Sequence, residues 1–202
     1  MQFKRQQLDT RDKIGHELAR YQGKVALITG ASSGIGKAFA RELARRGMDL
    51  ILVARSEQRL QQISTELTVL YGIQASVIAA DLSQPDAVQK IKATVDARGL
   101  AVHLLVNNAG FGVRERFEKI DPVRDHEQVM VNVAAVVDLT HAFLPGMLAR
   151  NEGAVINLGA LAGFQPVGYF AVHAASKAFI HAFRNSPYPY TFGDPRGGIR
   201  II

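Results

Sequence analysis

The stretch Val25-Ala-Leu-Ile-Thr-Gly-Ala-Ser-Ser-Gly-Ile-Gly36 constrains this chain more than any other. Residues 25–28 are a continuous apolar run, too short for a helix and rich in branched side chains. They read as a strand buried on both faces. Gly30, Gly34 and Gly36 then fall in one tight turn, and residues 37–46 follow with helix formers, Phe39, Leu43 and Ala44 on one side. Strand, glycine turn and helix make a phosphate-binding arrangement. Glycines let the backbone pass close to a pyrophosphate, and the helix N-terminus offers free N–H groups and the positive end of its dipole. The spacing is Gly-x-x-x-Gly-x-Gly, not the commoner Gly-x-Gly-x-x-Gly. Its place between strand and helix favours nucleotide binding over a purely structural turn.

The alternation continues along the chain. Residues 49–54 read as a second buried strand, and 56–71 as a helix with Leu60, Ile63, Leu67 and Leu70 at helical spacing. Residues 74–80 are a third strand ending at Asp81, and 86–97 a helix opened by Pro85. Residues 102–106 are a fourth strand running into Asn107-Asn108-Ala109-Gly110. A long apolar helix is expected over 125–149, containing Asn132, with Pro145 bending or stopping it. A fifth strand over 154–158 and a helix over 170–184 follow. With right-handed crossovers this order predicts an α/β fold: a Rossmann-like, doubly wound parallel sheet in three αβα layers. No repeat or linker divides it, so residues 24–202 read as one domain. Residues 1–23 read as a polar N-terminal extension, with Leu8, Ile14, Leu18 and Tyr21 at weak helical spacing. Residues 185–198 have loop composition, and 198–202 look like the start of a sixth strand. The domain is therefore expected to be truncated in that strand.

Composition narrows the partners. The net charge is +6, but lysine and arginine are spread along the chain without aromatic interleaving. That favours an ordinary surface plus one phosphate-recognising arginine over nucleic-acid binding. The chain has no cysteine, hence no disulfide framework and no thiolate metal site. His103, His126, His141 and His181 stand singly, without metal-ligand spacing, so no metal is expected. No unbroken apolar run reaches membrane-spanning length and no signal-peptide core opens the chain. The expectation is a cytoplasmic protein with no membrane partner.

These motifs together resemble the short-chain dehydrogenase/reductase family, over about residues 24–183. Thr29-Gly30-Ala31-Ser32-Ser33-Gly34-Ile35-Gly36 matches its glycine motif, and Asn107-Asn108-Ala109-Gly110 its fourth-strand motif. Asp81, followed by Leu82, matches the acidic position that contacts adenine. Asn132 in Val131-Asn132-Val133 and Lys177 in Ala174-Ala175-Ser176-Lys177-Ala178 match two members of its catalytic tetrad. The resemblance implies an oxidoreductase moving a hydride between a nicotinamide dinucleotide and a small carbonyl or alcohol. Gly30, Ser32, Ser33, Gly34, Ile35, Gly36, Asp81, Leu82, Asn108, Ala109, Gly110 and Lys177 are the implied cofactor-binding residues. It also implies a homodimer or homotetramer paired through the helices at 125–149 and 170–184.

The coenzyme follows from charge. An acidic residue closing the second strand would bind ribose hydroxyls and repel a 2′-phosphate. Here that position is Ala54, and Arg55 comes next. A guanidinium pairs bidentately with phosphate, so NADP(H) is expected over NAD(H).

The proton-transfer positions depart from the family pattern. Its tyrosine lies four residues before the lysine, where this chain has His173. Its serine lies thirteen residues before the tyrosine, where this chain has Ala160. Imidazole is a competent acid and base near neutrality, but it is shorter than a phenol, and geometry precedes pKa for a general acid. Ala160 offers no donor to a carbonyl oxygen. Tyr169, one turn before His173, has no lysine at the right spacing and reads as a substrate-loop residue. The expectation is an NADP(H) oxidoreductase by lineage with little or no activity. The alternatives are a non-catalytic dinucleotide-binding pseudoenzyme, serving as sensor or partner subunit, and a truncated product with no function.

Overall fold

The computed structural model describes residues 22–184 and 200–201. The expectations for residues 1–21, 185–199 and 202 lie outside them. Six strands form one parallel sheet in the order β3-β2-β1-β4-β5-β6. They are β1 (Val25–Thr29), β2 (Asp49–Ala54), β3 (Ala75–Ala79), β4 (Val102–Asn107), β5 (Ala154–Asn157) and β6 (Arg200–Ile201). β1 sits centrally, with Leu27 opposite Ile51 of β2 and Leu105 of β4. The two residues of β6 pair with Ala154 and Val155.

The strand period of two sends alternate residues to two cores. On one face Ala26, Ile28, Leu50, Leu52, Leu104 and Val106 pack with Leu43, Leu60, Ile63 and Leu67. These come from α1 (Gly34–Arg45) and α2 (Glu57–Tyr71). On the other face Leu27, Ile51, Val53, Leu105 and Val155 meet Ile91, Val95, Leu139, Phe143 and Met147. Those belong to α3 (Ala87–Ala97) and to the long helix after β4. Each large side chain so buried contributes about 1.5–3 kcal/mol. The expected near-continuous apolar strands are thus explained by helices on both faces.

The long helix differs most from expectation. It starts at Pro122, because Asp121 caps it by accepting a hydrogen bond from Val123 N at 2.9 Å and Pro122 fits the first turn. It runs as α4 (Pro122–Val129), a π turn at Met130–Ala134, and α5 (Ala135–Arg150). Pro145 does not stop it; the helix continues to Arg150 and ends at Asn151 in left-handed conformation. By length and composition this 29-residue helix is apolar enough to cross a membrane. A search for unbroken apolar runs overlooks it, because Asp138 and His141 interrupt the pattern. Here its Ala135, Leu139, Phe143 and Met147 face the sheet. α6 (Ala171–Arg184) follows a 3-10 turn at Leu161–Gly163.

Candidate functional site

The strand order reverses between β1 and β4, where crossovers leave on opposite faces and a crevice opens at the carboxyl ends of the strands. A cleft of ≈ 510 Å³ lies there, within the range of about 300–1,000 Å³ usual for small-molecule sites. Gly30, Ser32, Ser33, Gly34 and Ile35 form one wall, Ala54 and Arg55 the end of β2, and Asp81 and Leu82 the end of β3. Asn108, Ala109 and Gly110 close the side under β4. Gly30 (φ 65°) and Gly34 (φ 53°) hold left-handed conformations that a side chain would strain. Gly36 lies behind this wall, buried. A Cβ there would stand 2.3 Å from the Gly30 carbonyl oxygen and 2.5 Å from Asn108 Nδ2.

β1 and β4 are locked together above the sheet. Thr29, 1% exposed, accepts hydrogen bonds at Oγ1 from Asn108 N (3.1 Å) and Ala109 N (3.0 Å), and donates to Val106 O (3.3 Å). Asn108 Nδ2 donates to Thr29 O at 2.8 Å and to Gly30 O at 3.3 Å. One carboxamide therefore fixes the carbonyls that open the glycine turn.

The cleft also contains residues the sequence reading did not single out: Ser56, Arg59, Ser83, Phe111, Glu127 and Val131. Arg59 lies in the first turn of α2, four residues after Arg55, and both are exposed. A second arginine so soon after the end of β2 was a usable signal. Asp81 accepts at Oδ1 from Ser83 N (3.1 Å) and Ser83 Oγ (2.9 Å), which fixes its carboxylate after β3.

A second polar group adjoins the cleft through Gly110 and Phe111. Asn132, 1% exposed, lies in the π turn. Its Oδ1 accepts from Phe111 N at 3.1 Å, and its Nδ2 donates to Phe111 O at 2.9 Å and to Ser176 Oγ at 3.0 Å. Lys177 is buried, and its Nζ donates to Leu158 O at 2.7 Å. Burial pushes its ammonium pKa down. His173, one turn earlier on α6, has Nδ1 at 3.3 Å from Phe111 O, and its ring rests on Gly112 and edge-on to Phe170. Ala160 opens the 3-10 turn two residues past Leu158, and its carbonyl meets His181 Nε2 at 3.0 Å. His181 fills the space left by Gly159 and Gly163 and packs on Phe164 at 4.0 Å between ring centroids. Tyr169 is 60% exposed, with φ 65°, and its carbonyl accepts from Glu115 N at 3.2 Å. The structure thus brings Asn132, Lys177 and His173 together behind Gly110 and Phe111, which line the cleft, with the Ala160 turn beside them.

The family model described as short chain dehydrogenase matches residues 24–187. The chain belongs to the short-chain dehydrogenase family. It is 36% identical over 176 residues to the very-long-chain 3-oxoacyl-CoA reductase of Bos taurus, covering 84% of this chain and 56% of that protein. The chain therefore spans about half the length of the curated relatives it matches. Among solved structures, a short-chain dehydrogenase from Sphingobium yanoikuyae in complex with NADPH superposes with a TM-score of 0.75. It is 33% identical, over 80% of this chain and 62% of that one. L-sorbose reductase from Gluconobacter frateurii, complexed with NADPH and L-sorbose, gives 0.76 at 34% identity, over 81% and 62%. Against the short-chain dehydrogenase pattern described above, Asn132 and Lys177 keep their residue types. The positions where that pattern expects its serine and tyrosine hold Ala160 and His173.

Proposed function

We propose that this short-chain dehydrogenase binds NADP(H) in the cleft and has little or no capacity for carbonyl–alcohol turnover. The residues present fit a dinucleotide. The wall of Gly30 and Gly34 adopts conformations only glycine holds without strain, and Gly36 lets α1 begin against it. The N-terminus of α1 would hold the pyrophosphate there. Ala54 leaves the end of β2 uncharged, and Arg55 and Arg59, which line the cleft beside it, are the guanidiniums that would receive a 2′-phosphate. Asp81 and Leu82 would hold the adenine end; Asn108, Ala109, Gly110 and Lys177 would hold the ribose next to the nicotinamide. When bound, the dinucleotide supplies or accepts the hydride.

The observation that carries the proposed loss of turnover is the pair Ala160 and His173. A polarising hydroxyl at position 160 is replaced by a methyl group, and loss of one such donor costs about 3 kcal/mol, a few hundredfold in rate. His173 faces Phe111 O through Nδ1 and stops short of the reach of a tyrosine oxygen. Asn132 still orders the Phe111 backbone beside it. Relatives named very-long-chain 3-oxoacyl-CoA reductase support 3-oxoacyl thioesters as the first substrates to assay. The test is calorimetry with NADPH and NADH, then assays on 3-oxoacyl thioesters, aldehydes, ketones and alcohols. Tight NADPH binding with no turnover is expected, and Ala160→Ser with His173→Tyr should raise the rate by at least tenfold. Turnover by the unaltered chain near that of the double variant refutes the proposal.

We also propose that copies pair through the long helix and α6. Val129, Leu148 and Phe179 are exposed there, and only 33% of the most apolar stretch of the long helix is buried. Light scattering giving a monomer mass at micromolar concentration excludes this pairing.

A further inference from the structure

The base of the sheet, at the far end of β1 from the glycine turn, holds an irregularity. Val25 stands opposite Val102, but the next residue, Ala26, stands opposite Leu104. His103 is therefore an extra residue in β4, a bulge of a kind rare between parallel strands. Lys24 O faces β2, where Asp49 N donates to it at 2.9 Å, so the amide of the following residue, Val25, faces β4. A bulge disrupts the ladder at such a point. Here the histidine ring supplies the acceptor: Val25 N donates to His103 Nδ1 at 3.3 Å. The bond needs a lone pair on Nδ1. A neutral imidazole has one nitrogen with a free lone pair, and an imidazolium has none.

Three charged groups among the described residues act on this ring, each from a different segment. Lys24 precedes β1. Arg150 ends α5 and donates to Val102 O at 2.8 Å, beside the bulge. Glu152 lies just before β5 and is already paired with Lys24 at 3.3 Å. Two cations and one engaged carboxylate thus surround a half-buried imidazole. Burial first, then Arg150 and Lys24, holds the His103 pKa below its ordinary 6.5, while Glu152 and the Ala101 backbone pull the other way.

We propose that His103 is a pH-sensitive latch on the start of β1: a proton on Nδ1 turns the acceptor into a donor, releases the Val25 amide and opens the first pair of the β1–β4 ladder. The interior pairs, Leu27 with Leu105 and Ile28 with Val106, carry no titratable side chain and stay closed. Because the folded-state pKa is the depressed one, the latch is closed above pH 6.5 and is lost as pH falls through the folded-state value. A proton bound at the ordinary 6.5 once the bond is broken raises the open population by at most about thirtyfold at pH 5.

The test is amide hydrogen exchange on the unaltered protein without coenzyme, followed by NMR at about pH 7.5 and about pH 5, with each rate divided by its intrinsic rate at that pH. The protection of Val25 relative to Leu27 should fall by at least about fivefold between the two. An unchanged ratio overturns the proposal. His103→Asn places a carbonyl Oδ1 where Nδ1 stands and does not titrate. It should keep Val25 protected and make the ratio independent of pH; a fall as large as the parent's assigns the effect to another group and overturns the latch. His103→Leu offers no acceptor and should leave Val25 unprotected at both pH values, so protection equal to the parent's at the higher pH also overturns it. No readout involves a coenzyme, so the latch and the function proposed above fail separately.

Discussion

Thr29→Val tests the lock between β1 and β4 with almost no change of shape. The γ-oxygen of Thr29 is replaced by a methyl at a site only 1% exposed, so water cannot take its place. Three hydrogen bonds go, but they are not equal. Asn108 N keeps a second acceptor, Val106 O, at 3.0 Å. Ala109 N loses its Oγ1 acceptor at 3.0 Å in a half-buried position, at a cost of about 1–3 kcal/mol. The weakened Asn108 contact and the lost donation to Val106 O add about 1 kcal/mol. The expected sum is about 2–4 kcal/mol. With a urea slope of about 2 kcal/mol/M, the unfolding midpoint should fall by about 1–2 M. Thr29→Ser keeps the oxygen and loses one methyl, for about 1 kcal/mol, and should move the midpoint by less. If Thr29→Val unfolds at the same urea concentration as the parent, or above Thr29→Ser, the oxygen does not hold these strands together.

Arg55→Ala should weaken NADPH binding by about 10–100-fold, the loss of a charge-assisted hydrogen bond, while leaving NADH unchanged in calorimetry; an equal loss for both coenzymes removes the 2′-phosphate role. Gly36→Ala should abolish detectable dinucleotide binding and cost at least about 3 kcal/mol, because its Cβ would meet the Gly30 carbonyl at 2.3 Å. Since alanine is the better helix former by about 1 kcal/mol, any gain in stability on urea unfolding sinks that reasoning. Glu42 is held at a pKa of about 2 by hydrogen bonds from Arg45 and Arg46. Its stabilisation is therefore present above the ordinary value of 4.5 and is lost as pH falls from there towards 2. The cluster is solvent-accessible, so Glu42→Gln should cost under about 1 kcal/mol at pH 7 and nothing near pH 2; identical urea midpoints of variant and parent at pH 7 contradict it.

The cleft was largely legible because its parts are local. A strand, a turn of glycines and a helix are read from neighbouring residues, and Gly30, Arg55, Asp81 and Asn108 each follow a strand end that hydropathy alone locates. What escaped depends on packing between distant segments. Phe111, Glu127 and Val131 reach the cleft because the chain after β4 folds back along the long helix. The π turn around Asn132 leaves no mark on a helical period. Pro145 reads as a bend or a stop, yet it lies in a helix that core contacts on both sides of it, Phe143 and Met147, keep in place. His181 reads as an isolated histidine, and only the closeness of Gly159 and Gly163 reveals that it fills a slot.

The clamp made by Asn108 sets an order of events during synthesis. The carbonyls of Thr29 and Gly30 are held by a carboxamide that lies 79 and 78 residues further along. While the ribosome has released only the first three strands, the anion cradle has its glycines but not its brace. A fragment ending before β4 should therefore fail to retain the coenzyme even though it contains the whole glycine motif, and the cradle becomes competent only once the fourth strand docks.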